Sequence, residues 1–202
     1  ASNLSVQTGL NPSEHGWLGW SNYIEPIDSI IQLYWDVNKG QKRSDEKNKD
    51  FLEVKKKFLS HKRLVDIIKE KGFDTYSISP YDECIYKTLN QMFDVLNEKL
   101  SIKNDKKKFI HVYNKEPDDT MHRYGSDSSE AIKEISKINL KLEEFYEKNL
   151  DKDTLIIVVA DHGHLNADYI ELRKYPDITA LMKKSIYIEK RCPMFKIYEG
   201  KE

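Results

Sequence analysis

Two cysteines in 202 residues, Cys84 and Cys192, are too few and too far apart to staple a small domain or to make a metal-spaced cluster. They are expected as free thiols in a reducing compartment, which favours the cytoplasm. An excess of one charge is also missing: 33 Lys and Arg stand against 34 Asp and Glu, a net of −1. No global field therefore draws the chain to a nucleic-acid polymer or an anionic membrane surface. No apolar run approaches a membrane span, and no signal-peptide pattern opens the chain. Internal repeats and low-complexity tracts are absent as well. What is present is charge in quantity, 33% of residues with a mean hydropathy of −0.71, the composition of helices with solvated faces. The length suits one α/β domain, residues 1–202, with a sizeable core.

Against that polar background one stretch stands out, Thr154 to His164, TLIIVVADHGH. Leu155 to Val159 are all Leu, Ile or Val, the pattern of a strand buried on both faces of a parallel sheet. Asp161, His162, Gly163 and His164 then fall at its carboxyl end, the edge where open α/β sheets bind ligands. An Asp beside a His offers one oxygen and one nitrogen ligand, which suits Zn²⁺ or a similar divalent ion. The same residues also make an ordinary capped turn. His164 is either a residue orienting a ligand or a surface histidine.

A second stretch repeats the arrangement. Lys108 to Tyr113, KFIHVY, reads as a strand that breaks into Asn114-Lys115-Glu116-Pro117-Asp118-Asp119-Thr120-Met121-His122-Arg123-Tyr124-Gly125. Pro117 stops the strand, and Asp118 lies four residues before His122, so on one helical turn the two share a face. Taken alone, Asp118 or Asp119 reads equally as a helix N-cap and His122 as a surface residue.

The combination of EPDDTMHRYG, 116–125, with ADHG, 160–163, resembles the paired metal motifs of the alkaline phosphatase superfamily, most closely its nucleotide pyrophosphatase/phosphodiesterase branch. TGLNPSEHG, Thr8 to Gly16, is similar to a third motif of that branch, which follows shortly after the nucleophile. The resemblance implies an alkaline-phosphatase-like α/β core with a mostly parallel sheet and helices on both faces. It implies two divalent metal ions, Zn²⁺ with Mn²⁺ as the alternative. Asp118 and His122 would serve one ion, and Asp161 and His162 the other. The substrate class would be phosphate-ester small molecules, nucleotides among them, hydrolysed by two-metal phosphoryl transfer. In the family a Thr or Ser nucleophile stands at the N-terminus of the helix that opens this chain, one or two positions before Ala1. The family also has a metal-binding Asp on the strand before that nucleophile and a metal-binding His well downstream. The expectation is accordingly a chain incomplete at both ends, inactive by itself. The family often has a phosphate-binding Asn near the position of Trp20, which this chain lacks. Competing readings are a phosphosugar mutase of the same superfamily and an inert fragment or binding module with vestigial metal motifs.

Elsewhere the pattern predicts a short helix over Ser2–Thr8 closed by Gly9, and His15 in a structural turn. Trp17, Trp20 and Tyr23 would line a pocket or plug the core edge. Strands are expected at 30–35 and 75–79. Residues 36–62 read as a charged loop or small cap insertion leading into an exposed helix. Helices are expected over 64–72, 82–100 and 129–149, the last with Ile132, Ile135, Ile138, Leu142, Phe145 and Leu150 on its inner face. A short helix over 175–184 and a strand over 194–198 complete the reading.

Overall fold

The computed structural model describes residues 2–81, 83–149 and 153–201, and it is a mixed α/β structure in two compact units. Ala1–Lys62 with Asp168–Glu202 form the first, and Arg63–Ala167 the second.

The first unit contains α1 (Ser2–Thr8), α2 (Pro12–His15), β1 (Ser21–Ile24), β2 (Ser29–Gln32), β3 (Val37–Asn38) and α3 (Lys49–Phe58). The second contains α4 (Leu64–Glu70), β4 (Asp74–Ile78), α5 (Leu89–Ser101), β5 (Lys108–Val112), α6 (Asp118–Tyr124) and α7 (Ser129–Lys148). The chain then returns to the first unit with α8 (Pro176–Thr179), β6 (Met182–Ile188) and β7 (Pro193–Ile197).

The sheet of the first unit runs β3-β2-β1-β6-β7, and every pairing in it is antiparallel. This corrects the expectation of a mostly parallel sheet. The cause is local: β1, β2 and β3 are joined by links of a few residues, which can only make hairpins, and β6 and β7 are likewise adjacent. Where β6 meets β1, Gly19 is needed, because a Cβ there would lie 2.6 Å from the Ile188 carbonyl oxygen. The expected helix over 175–184 shrinks to α8, and β6 takes up the residues from Met182 on.

Among the described residues the parallel strand pair is β4 with β5, in register Asp74↔Lys108 through Ile78↔Val112, with an isolated parallel bridge from Ile78 to Cys84 beside it. Their connection carries α5, the crossover that parallel strands require. Ile78, Tyr86, Met92, Phe93 and Phe145 form the core here, with the Phe93 and Phe145 rings 5.7 Å apart. Tyr86 donates its hydroxyl to the Tyr113 carbonyl at 2.7 Å, and burial pushes its pKa up to about 12. The inner face of α7 is narrower than its sequence stripe. Phe145 is buried and Leu142 packs on the core, while Ile132 and Ile135 are exposed. Leu150 lies outside the described residues.

The expected strand at 154–159 is not formed. Leu155 to Val159 enter no ladder, and Leu155 is 84% exposed. Apolar, β-branched composition makes a run fit for a strand, but pairing makes it one, and none of these residues is paired into a sheet.

Within residues 36–62, read as a charged loop or cap insertion leading into an exposed helix, α3 takes up Lys49–Phe58 and turns its one buried side chain, Phe51, inward. Asn48 caps α3 by accepting from the Phe51 amide at 2.8 Å, and Phe51 and Val37 are fully buried. Phe51 joins Trp17, Ile24, Ile31 and Leu33 in the core of the first unit. Trp17 is therefore a core residue, whereas Trp20 is exposed and leans on Tyr34. The two cysteines are free thiols, and no helix of the described residues is long and apolar enough to cross a membrane.

His15 is fully buried at the end of α2. Its Nδ1 accepts from the Trp17 amide at 3.0 Å, which leaves Nε2 to carry the proton toward Ser5 Oγ at 2.9 Å. Its carbonyl accepts from His61 at 3.2 Å. Both nitrogens are thus committed to holding the turn.

Two predictions follow from this packing. Phe51→Ala, by emptying a fully buried site, is expected to cost about 3–5 kcal/mol in urea unfolding of the chain. Burial, and His61 nearby, hold the His15 pKa below its ordinary 6.5, so the folded state favours the neutral ring. The unfolded chain then binds the proton first, and stability present above pH 6.5 is lost as pH falls toward the folded pKa. Unfolding measured from pH 7.5 down to 5.5 should show that decline in the wild type and a shallower one in His15→Gln.

Candidate functional site

The sequence of α6 decides which of two adjacent aspartates is free for chemistry. Asp119 is taken by cations: Lys115 Nζ donates to it and Arg123 lies 3.9 Å away. That hydrogen bond raises the Lys115 pKa. Asp118, one position earlier and so about 100° around the helix, faces the other way. Its Oδ1 lies 3.5 Å from Nε2 of His122, the residue one turn further on the same face.

The residues after the unpaired 155–159 run reach the same oxygen. His162 Nε2 is 3.6 Å from Asp118 Oδ1, and His164 Nε2 donates to it at 2.6 Å. Asp161 Oδ2 stands 3.9 Å from His162 Nε2, at the margin of the cluster. The His164 ring meets His122 edge-on with centroids 4.8 Å apart and lies 5.3 Å from His162. Asp118, His162 and His164 offer one ligand atom each within 4.8 Å of one another.

The tautomer of His162 follows from its neighbour. Its Nδ1 lies 3.0 Å from the Gly163 carbonyl, which can only accept, so Nδ1 carries the hydrogen. Nε2, the nitrogen turned to Asp118, then holds the lone pair of the neutral ring. That is the arrangement of a metal-ligating histidine, whose second nitrogen donates to a carbonyl.

Spacing also fits an ion. A tetrahedral centre with bonds of 2.0–2.1 Å separates its ligands by about 3.3 Å. The 3.5 and 3.6 Å separations at Asp118 Oδ1 are close to that edge, and the 2.6 Å contact of His164 would open by roughly 0.7 Å. The donor set, one carboxylate oxygen with imidazole nitrogens, is the chemistry Zn²⁺ favours.

The two halves are tied by a contact that sequence reasoning missed. Asn166 Oδ1 accepts from the Ser126 amide at 3.1 Å and from its hydroxyl at 3.3 Å, and Asn166 Nδ2 donates to Asp127 at 3.0 Å. The turn it grips ends α6 at Gly125 and caps α7, where Ser128 Oγ accepts from the Ala131 amide. Gly125 has φ 95° and ψ 156°, a region nearly reserved for glycine, and a Cβ there would meet Asn166 Oδ1 at 3.1 Å.

The structure thus sets His122 and His162 beside Asp118, leaves Asp161 at the margin next to His162, and adds His164, whose position two residues from His162 was the available signal. Asn166 carried none. The carboxyl-end location holds for one half: α6 follows the end of β5, whereas Asp161 and His162 follow no strand. Ser2–Thr8, the helix beside the expected nucleophile, belongs to the first unit.

Loosening the turn should be measurable. Gly125→Ala is expected to cost about 1–3 kcal/mol in urea unfolding. Asn166→Ala, which removes partially exposed hydrogen bonds, should cost less, about 0.5–1.5 kcal/mol, and should speed hydrogen exchange at the Ser126 amide.

Compared with known proteins, the chain matches a family model, described as Type I phosphodiesterase / nucleotide pyrophosphatase, over residues 1–200. Among curated proteins, none matches it.

Proposed function

The chain belongs to the type I phosphodiesterase / nucleotide pyrophosphatase family, and from that premise we propose that it forms the metal site of a two-metal phosphoric ester hydrolase acting on small phosphodiesters or nucleotides. The observation that carries the reading is the convergence of two sequence-distant Asp/His pairs. Asp118 and His122 lie 3.5 Å apart on one turn of α6, and His162 comes within 3.6 Å of the same carboxylate oxygen with Asp161 beside it. A phosphodiester carries a negative charge on its non-bridging oxygens, and a cluster able to hold divalent cations answers that charge.

In this reading Asp118 and His122 would hold one divalent ion and Asp161 and His162 the other. Zn²⁺ fits the donors best, with Mn²⁺ the alternative. Bound there, the ions supply Lewis acidity toward the phosphate oxygens and the attacking hydroxyl. His162 holds its Nε2 lone pair toward the cluster by donating Nδ1–H to the Gly163 carbonyl. Lys115 and Arg123 neutralise Asp119 and so keep it from competing for the histidines of Asp118. In such a reaction a Thr or Ser hydroxyl would form a bond to phosphorus as the phosphorus–ester oxygen bond breaks, and the proton lost from the hydroxyl would end on the leaving alcohol. Water then breaks the phospho-enzyme bond and restores the hydroxyl.

The test is turnover of bis(p-nitrophenyl) phosphate by the protein that contains these residues, with and without chelator. Chelation should abolish activity and Zn²⁺ or Mn²⁺ should restore it. Asp118→Asn should lower kcat/KM by about 10² or more, since metal polarisation supplies several kcal/mol. Chelator-resistant turnover unaffected by Asp118→Asn would overturn the proposal. Isomerisation of a phosphosugar without release of phosphate would point to the mutase reading instead.

A further inference from the structure

We infer that the amino-terminal end of the β4–β5 pair, where the turns 69–73 and 101–107 meet, is a docking face for an anionic lipid bilayer. The inference does not draw on the metal reading and concerns the other end of the same parallel pair.

The sequence supplies the charge. Lys69 and Lys71 close α4, Lys99 lies in the last turn of α5, and Lys103, Lys106, Lys107 and Lys108 run into β5. Against these seven lysines stand four carboxylates, Glu70, Asp74, Glu98 and Asp105, an excess of three positive charges in a chain whose net is −1. Parallel order gathers them. Because β4 and β5 run the same way, the turns that precede them lie side by side, with Asp74 aligned with Lys108 and its amide donating to the Lys107 carbonyl at 2.9 Å. Two of the carboxylates are already engaged: Asp74 accepts from Asn104 and lies 3.8 Å from Lys106, and Glu98 holds Lys99 at 2.7 Å. Lys69 and Lys106 flank an open depression of about 310 Å³ with Phe73 and Tyr76 in its wall.

A local role accounts for some of these cations. Lys69, Lys71 and Lys99 sit at helix carboxyl ends, where the macrodipole favours positive charge. Lys103 and Lys107 lie beyond the helices, exposed, and answer no such field.

Ile102 decides between anionic partners. It is 37% exposed and stands directly before Lys103. A lipid interface takes up an apolar side chain while neighbouring lysines reach the headgroup phosphates, whereas a nucleic-acid backbone offers it nothing. The cations are also all lysine, point charges suited to a field of headgroups, with no arginine fork of the kind that reads a base edge. The five residues of β5 separate this end from the segment leading to α6 by about 16 Å, so a chain docked here keeps Asp118 away from the bilayer.

The test is co-sedimentation of the chain with vesicles of phosphatidylglycerol mixed with phosphatidylcholine, and with vesicles of phosphatidylcholine alone. The chain should bind the first and not the second, and binding should fall as salt rises. A lysine near an anionic surface contributes about fivefold, so Lys103→Gln combined with Lys107→Gln should weaken binding by roughly 25-fold. Ile102→Ser should weaken it as well. Lys137→Gln combined with Lys141→Gln removes the same charge beside Leu89, at the other end of α5, and should leave binding unchanged. Absence of binding to the anionic vesicles overturns the inference, and so does equal loss in the two double variants, which would report net charge alone. Tighter binding to duplex DNA than to vesicles, unaffected by Ile102→Ser, would also overturn it and assign the face to nucleic acid.

Discussion

One carboxylate oxygen organises the second unit. Three imidazole Nε2 atoms surround Asp118 Oδ1 at 2.6, 3.5 and 3.6 Å, and only the first is a hydrogen bond. The other two sit beyond hydrogen-bond reach yet at the separation that ligands of a common ion keep. A group of histidines gathered for hydrogen bonding alone would pair with separate acceptors; these share one. That shared oxygen is available because the neighbouring Asp119 is saturated by Lys115 and Arg123.

The arrangement depends on backbone that is held at one end and loose at the other. The α6 half is anchored through the 125–128 turn to α7, which packs Phe145 against Phe93. The 161–164 half follows an unpaired, exposed run and is located by His164 on Asp118 and Asn166 on the turn. Side-chain contacts, not strand register, set that half of the geometry.

How much of this the sequence disclosed follows from which forces act locally. Asp118 and His122 were legible because the i,i+4 relation on a helix is a local fact, and β4, β5, α5 and α7 were legible from periodicity. Elements set by non-local pairing were not. The TLIIVVA run reads as the most strand-like stretch of the chain, yet it joins no ladder, while SNYI and MKKSIYI, with mixed composition, do. Phe51 escaped because one buried aromatic in a charge-dense segment makes no period. Asn166 escaped because a clamp across 40 residues leaves no local trace.

The parallel expectation came from the family resemblance and from apolar runs, and its partial failure sharpens what a motif transmits. Asp-x-x-x-His and Asp-His-Gly specify donors and short-range geometry, so they carry over wherever a turn of helix and a following loop can be brought together. They say nothing about the direction of strands they do not contain. The five-stranded antiparallel sheet lies in the first unit and contains neither motif, and short hairpin links dictate the direction of its β1–β2, β2–β3 and β6–β7 pairs. The parallel strand pair β4–β5 is also the pair whose second strand leads into α6. Parallel order is thus present where the first motif uses it, with a strand ending just before its ligand helix. The second motif reaches the same oxygen without a strand beneath it. Its donors are placed by what they bind, and the chemistry of the cluster therefore organises the loop that carries it.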